Sequence, residues 1–286
     1  MNVTKAEYLP IDKLHPFEDH PFQVKDDDQM EQLVWSILSQ GILTPIIVRP
    51  MGDEYEVVSG HRRVHACKKA GIAEVPALIY CLDRDEAAIA LVDSNLHREH
   101  ILPSEKAFAY KMRLEAMKRQ GERTDLTSAP LVRKFSEARE QIGNEAGESR
   151  EQVRRYIRLT ELIPGILELV DEGKIGLRPA VELSYIPKDI QEYIFDTMDM
   201  EQCTPTHAQA RRMRALSEEN KLTEEVIEVI LMEEKPNQKE KIVLRGERFR
   251  DLFPKNLPLS KREDYVAAAM EHYGRYLARR EREMER

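Results

Sequence analysis

Ile142–Arg158 reads IGNEAGESREQVRRYIR, and this stretch decides how the middle of the chain folds. A helix runs out at Ala146, and Gly147 follows where a tight turn needs positive φ. Ser149 is a natural N-cap for a second helix, because its hydroxyl can accept from an orphan backbone amide. Val153 and Ile157, four apart, can pack against Ile142 and Ala146, which makes the pair a helix-turn-helix. Arg150, Arg154 and Arg158 recur every four residues and share one face, with Arg155 beside it. A DNA major groove admits a helix, and arginine bonds phosphates or guanine edges. An ordinary helical hairpin with a solvated basic face has the same pattern, and the pattern alone leaves the two readings level.

The whole chain argues against nucleic acid at first sight. It has 286 residues, 41% of them hydrophobic, a net charge of −8 and a pI near 5.6. The acidity is local, however. Residues 1–100 hold 10 Lys+Arg against 17 Asp+Glu, whereas residues 101–215 hold 19 of each. Inside that neutral middle, Ser149–Arg158 carries four arginines against one glutamate. Binding depends on the patch and not on the average. No window reaches the roughly 18 apolar residues of a membrane span. The first residues, MNVTKAEYLPID, lack the basic and apolar regions of a secretory signal. Cys67, Cys81 and Cys203 are far apart and in no CxxC pair, which excludes a disulfide framework or zinc module and fits a reducing cytoplasm.

Outward from the helical hairpin, the first hundred residues alternate between two periodicities. Glu7–Ile11 reads as an edge strand, since Pro10 removes a ladder donor. Asp26–Gln40 has helical spacing at Met30, Leu33, Val34, Ile37 and Leu38, with Gly41 as C-cap. Pro45–Arg49 and Tyr55–Val58 read as strands around a turn at Met51–Glu54, Gly60–Ala70 as a short helix, Val75–Tyr80 as a strand and Asp85–Asn95 as a helix. From Ser104 the strand signal disappears. Helical patterns follow at Ser104–Gln120, Val132–Ala146, Ser149–Leu162, Gly165–Glu172, Leu177–Ser184, Pro187–Met198, Thr206–Ser217 and Thr223–Glu233. Gly121–Pro130 reads as a loop and Glu234–Glu240 as a linker. Lys241–Arg245 reads as a strand and Ser260 to the end as a helix. The predicted fold is α+β: a small mixed α/β domain over 1–103, an all-helical domain over 104–234, and a C-terminal segment over 241–286.

Two more constellations carry chemistry. Ser59-Gly60-His61-Arg62-Arg63 follows a strand and opens a helix. Amides at a helix N-terminus bind anions, glycine permits close approach, and two arginines add charged donors. A capped helix with surface arginines accounts for the same residues. His61 and His65 are four apart, but no third metal ligand stands nearby. Asp93-Ser94-Asn95-Leu96-His97-Arg98-Glu99 ends a helix before Pro103. Its acid, amide and arginine could read a nucleotide and hold Mg²⁺, although by themselves these residues read first as an ordinary polar helix terminus.

In order and spacing these segments together resemble the ParB family of DNA partition proteins. His20–Lys25 is similar to the family's first motif, Gly41–Arg49 to G-[IL]-x-Q-P-[IL]-x-V-R, and Ser59–Arg63 to G-E-R-R. Asp93–Ala107 is similar to E-N-x-Q-R-x-x-L-x-P-x-E-x-A, and Glu148–Pro164 to the family's recognition helix. The resemblance spans about residues 7 to 200 and implies a ParB/sulfiredoxin-like N-terminal domain that binds CTP with Mg²⁺. It implies double-stranded DNA as partner, loading at a specific site, and closure as a sliding clamp. Carried over by position, Gly60, His61, Arg62 and Arg63 meet the triphosphate, with Gln23 and Lys25 facing it and Ser94, Asn95 and Arg98 completing the site. Asp93 is the Mg²⁺ candidate. Ser149, Arg150, Gln152, Arg154, Arg155 and Arg158 form the DNA-facing set.

Departures from the pattern sharpen these expectations. The family glutamates are His61 and Ser94 here, so nucleotide binding is expected and CTP hydrolysis left open. The family's downstream G-H-A-R-A-L is Arg178–Leu183 here, which implies a different DNA site. No basic leader precedes the first strand, which leaves a ParA-type ATPase partner in doubt. Tyr265, Tyr273, Tyr276 and Leu277 mark an apolar stripe on the last helix and imply a homodimer. The expected role is partition of a plasmid or integrated mobile element, at the nucleoid or plasmid. The alternative is a transcriptional or nucleoid-occlusion-type regulator with a degraded nucleotide pocket. A sulfiredoxin-like enzyme lacks its cysteine motif here, and Cys67 reads as a small core residue.

Overall fold

The structure is a computed structural model that describes residues 3–96, 98, 100–124, 131–233, 253–254, 257–258 and 261–284. Residues 1–233 form one compact unit and 234–286 a second. The expected linker at 234–240 and strand at 241–245 lie outside the described residues, as do residues 125–130 of the expected loop, whose first four positions, 121–124, instead continue a helix that starts at Pro103.

Five strands make one mixed sheet: β1 (Val3–Pro10), β2 (Leu14–Pro16), β3 (Ile46–Met51), β4 (Glu54–Ser59) and β5 (Glu74–Tyr80), in the order β1-β5-β3-β4-β2. β1 is indeed an edge strand, antiparallel to β5. At the centre, Val48 of β3 sits opposite Val57 of β4 and Ile79 of β5. Successive residues of a strand face opposite sides. Val57 therefore enters a core with Ile46, Val48 and Ile79, while its neighbour Val58 enters a second core on the other face. The first core is covered by α1 (Asp28–Gln40) and α2 (His61–Lys69), through Met30, Ile37, Val64 and Cys67. The second is covered by α3 (Arg84–Asp93) and by α4 (Pro103–Thr124), through Ala88, Leu91, Ala109 and Ala116.

Helix boundaries follow local chemistry. Asp27 caps α1 by accepting from the Met30 amide at 2.9 Å. Asp83 and Glu86 form a reciprocal capping box on α3. α4 begins at Pro103, with Glu105 reaching back to the Leu102 amide at 3.1 Å, so Glu105 and not Ser104 satisfies its start. Ser104 instead donates from its amide and hydroxyl to Asp171, at 2.9 and 2.5 Å.

The helical remainder runs α5 (Leu131–Ala146), α6 (Arg150–Leu159), α7 (Pro164–Asp171), α8 (Leu177–Leu183), α9 (Lys188–Met200), α10 (His207–Glu218) and α11 (Glu224–Met232). Leu159, Ile166, Leu183, Ile194, Met213 and Ile227 fill its main core. Gln191 is fully buried there and satisfied: it accepts from the Ile163 amide at 3.0 Å and donates to the Ile186 carbonyl at 2.8 Å. In the second unit, α12 (Arg262–Met284) exposes Tyr265, Met270, Tyr273, Tyr276 and Leu277. Among the described residues no helix is long and apolar enough to cross a membrane.

Candidate functional site

The helix-turn-helix is built as its sequence implies. Gly147 adopts φ +69°, and the Ser149 hydroxyl accepts from the Gln152 amide at 3.2 Å to cap α6. Ile142 and Val153 are fully buried against Tyr110 and Leu114 of α4, with Ala146 and Ile157 packed around them. Gly143 carries a requirement the sequence reading passed over. A Cβ there would lie 2.5 Å from the Glu148 carbonyl oxygen, so only glycine lets the turn fold back onto α5.

α6 exposes Ser149, Arg150, Arg154 and Arg155, with Gln152 half-buried. Arg154 stands 3.6 Å from Glu151 and Arg155 bonds Gln152 at 3.4 Å, contacts too long and too wet to fix either guanidinium. Arg158 is placed differently. It donates to the Ser184 carbonyl at 2.6 Å and to its hydroxyl at 3.1 Å, and lies 4.1 Å from the Tyr185 ring centre. It fastens α6 to the end of α8, while Arg150, Arg154 and Arg155 remain as the presented face.

The second constellation centres on the start of α2. Gly60 is left-handed at φ +104°, and no side chain caps the first turn, so its amides point outward without a side-chain partner. A Cβ at Gly60 would meet Ile46 Cγ2 at 2.8 Å. The two arginines diverge. Arg63 turns inward and donates to the Thr44 carbonyl and, at 2.7 Å, to that of Pro45. Arg62 stays at the surface, 3.5 Å from Asp27.

His61 is half-buried, its Nε2 accepting from the Phe17 amide at 3.3 Å and its ring 3.8 Å from that of His20. Burial, with His20 and Arg98 close by, pushes its pKa down to about 3. His20 is lowered as well, chiefly by burial. Both imidazoles are therefore neutral at pH 7, and Arg62 and Arg98 supply the charge. Arg98 lies 5.5 Å over the Phe22 ring, near enough to Arg62 for each to feel the other's charge. Arg62, Arg98 and the uncapped amides of α2 offer the donors of an anion-binding cradle. The donor set fits a polyphosphate.

The remaining predicted residues are not gathered into it, and the groove lined by Gln23 and Lys25 shares no lining residue with the cradle. Gln23 and Lys25 are exposed and line a groove of about 500 Å³ with Phe108, Leu167 and Glu168. The Gln23 amide is held by Glu105 at 2.9 Å, which ties the first motif to α4. Asn95 is buried and donates to Leu91 at 2.8 Å and to Ser94 Oγ at 3.1 Å, while the Ser94 hydroxyl donates to Leu91 at 2.9 Å. These two close the end of α3. Asp93 forms an ion pair with Arg113 at 3.0 Å, so its carboxylate already faces a cation of the chain. Among the described residues no group of three or more His, Cys, Asp or Glu could hold a metal.

Comparison with known proteins agrees with this architecture. Residues 1–96 match the ParB N-terminal domain and residues 127–206 the ParB HTH domain. The chromosome-partitioning protein Spo0J of Thermus thermophilus is 34% identical over 168 residues, 58% of this chain and 55% of that one. A nucleoid occlusion protein of Listeria monocytogenes is 32% identical over 192 residues, 66% of this chain and 61% of that one. The chain thus spans little more than half the length of these curated relatives. The C-terminally truncated ParB of Caulobacter crescentus complexed with CTP-gamma-S is 26% identical over 68% of this chain and 99% of that one, at a TM-score of 0.31. With a ParB N-terminal domain and a ParB HTH domain matched in order along one sequence, on a mixed sheet followed by a helix-turn-helix, this chain belongs to the ParB family.

Proposed function

We propose that this chain is a DNA-binding partition protein whose N-terminal cradle takes CTP and whose α6 reads a specific duplex site. The observation that carries this reading is the exposed face of Arg150, Arg154 and Arg155 on a Ser149-capped helix behind the Gly143–Gly147 turn. In the cradle, Arg62, Arg98 and the outward amides of His61 and Arg62 hold the phosphates. Arg63 holds the loop beneath them. Gln23 and Lys25 approach from the first motif, and Mg²⁺ would travel with the nucleotide. CTP supplies the energy for closure as a clamp on DNA, and any hydrolysis is slow, because His61 and Ser94 cannot act as carboxylates. A homodimer joined through the apolar stripe of α12 presents two α6 helices to paired half-sites. The replicon served is a plasmid or integrated mobile element.

A second reading is favoured by Arg63 and Asp93, both engaged within the chain: a regulator confined to one operator, as in nucleoid occlusion. Equilibrium titration of the full chain with CTP and Mg²⁺ decides between them. Saturable binding that Arg62→Ala weakens at least about ten-fold supports the clamp. No binding supports the operator regulator.

A further inference from the structure

A buried arginine joins the two constellations. Arg113, on α4, has a side chain only 3% exposed; its Nη2 donates to Glu145, and its Nη1 lies 3.0 Å from Asp93 Oδ1 as an ion pair without hydrogen-bond geometry, so the guanidinium stands between carboxylates on two different helices. One is Asp93, at the end of α3 and directly before Ser94-Asn95. The other is Glu145, at the end of α5 and two residues before the Gly147 turn. Glu145 is fixed from its own helix too, by Gln141 at 3.2 Å.

The chemistry of the bridge is specific. A buried guanidinium is costly unless its donors are met, and loss of one partner leaves a charge in a dry site. Arginine's planar fork can address two carboxylates at once, whereas a lysine ammonium is a single point on a flexible stem. The packing of α4 has the same two-sided character. Ala109 and Ala116 lie in the core shared with α3, and Tyr110 and Leu114 in the one shared with α5 and α6.

We infer that Arg113 is a positioning residue that couples the end of α3 to the helix-turn-helix, so that a change at either end is felt at the other. Its use in regulation rests on the reading of Ser94, Asn95 and Arg98 as part of the nucleotide site. Coupling of this kind is reciprocal, so it has a signature that a local structural role lacks.

Amide hydrogen exchange on the full chain tests it. Asp93 and Glu145 are each nearly half exposed, so Asp93→Asn and Glu145→Gln are gentler changes than removing Arg113 itself. Asp93→Asn should speed exchange in α5 and α6 by about ten-fold, and Glu145→Gln should do the same in α3, a typical coupling strength. Arg113→Lys should show both effects. Changes confined to the mutated residue's own helix overturn the inference, and so does a uniform rise over the whole chain, which marks plain loss of stability. CTP with Mg²⁺ added to the wild type should alter exchange in α5 and α6, and in Glu145→Gln only around His61–Arg63 and Ser94–Arg98. If wild-type CTP binding leaves α5 and α6 unchanged, the inference fails. If CTP does not bind at all, the nucleotide reading fails, and the reciprocal effects of the two variants still decide the coupling.

Discussion

Arg63 donates from Nη1 to the Pro45 carbonyl at 2.7 Å, which stitches the start of α2 to the entry of β3. The second arginine of the GHRR segment is therefore engaged within the fold, and the first, Arg62, stays at the surface. Arg63→Ala should lower stability by about 1–2 kcal/mol, because it orphans the part-buried Pro45 carbonyl. Arg62→Ala should leave stability within about 0.5 kcal/mol and weaken CTP binding. Urea unfolding and nucleotide titration of the two variants separate the roles.

Two glycines hold close approaches that alanine cannot reproduce. Gly60→Ala brings a methyl to 2.8 Å of Ile46 at φ +104°, and Gly143→Ala brings one to 2.5 Å of the Glu148 carbonyl. Each should cost on the order of 1–3 kcal/mol, the range for overpacking and forced backbone change. The sites should fail separately: Gly60→Ala in nucleotide binding and Gly143→Ala in DNA binding, each measured below the unfolding midpoint.

Arg154→Ala and Arg155→Ala should each weaken specific DNA binding by about 1–3 kcal/mol, and a phosphate-contacting arginine should also lower the salt slope by about 1. Arg158→Ala should act mainly on stability, at about 1–2 kcal/mol, through its lost bonds to Ser184 and its lost place over Tyr185. Fluorescence anisotropy across a salt series, with thermal unfolding in parallel, checks both expectations.

Acid should weaken the N-terminal unit through His61. The folded chain refuses the proton until about pH 3, while the unfolded chain accepts it near the ordinary 6.5. A group lowered on folding gives up stability as pH falls, here progressively from 6.5 towards 3, with His20 adding the same sign. The full loss through His61 is on the order of 5 kcal/mol. His61→Gln should flatten this slope when denaturant midpoints are compared at pH 7.5, 6 and 5.

Local signals were legible and long-range ones were not. The β-branched run at Ile46–Val48, the Asp27 and Ser149 caps and the Gly147 turn each depend on a few neighbouring residues, and the structure forms them where the pattern places them. β2 has only three residues, too short for a period to register. Arg158 lies on the same face by spacing as Arg150 and Arg154, but Ser184 and Tyr185 lie far along the chain, and no helical period could reveal that they capture it. The same holds for Arg63 with Thr44 and Pro45, and for Arg113 between Asp93 and Glu145. In each case the partner that redirects a charged side chain is supplied by the tertiary fold.

Genomic DNA captured by the full chain and sequenced, with and without CTP, tests the central claim most directly. The account predicts sharp enrichment at one site, lost in Arg154→Ala, with flanks that broaden only when CTP and Mg²⁺ are present. Absence of any enriched site, or a site retained at full strength in Arg154→Ala, would contradict it.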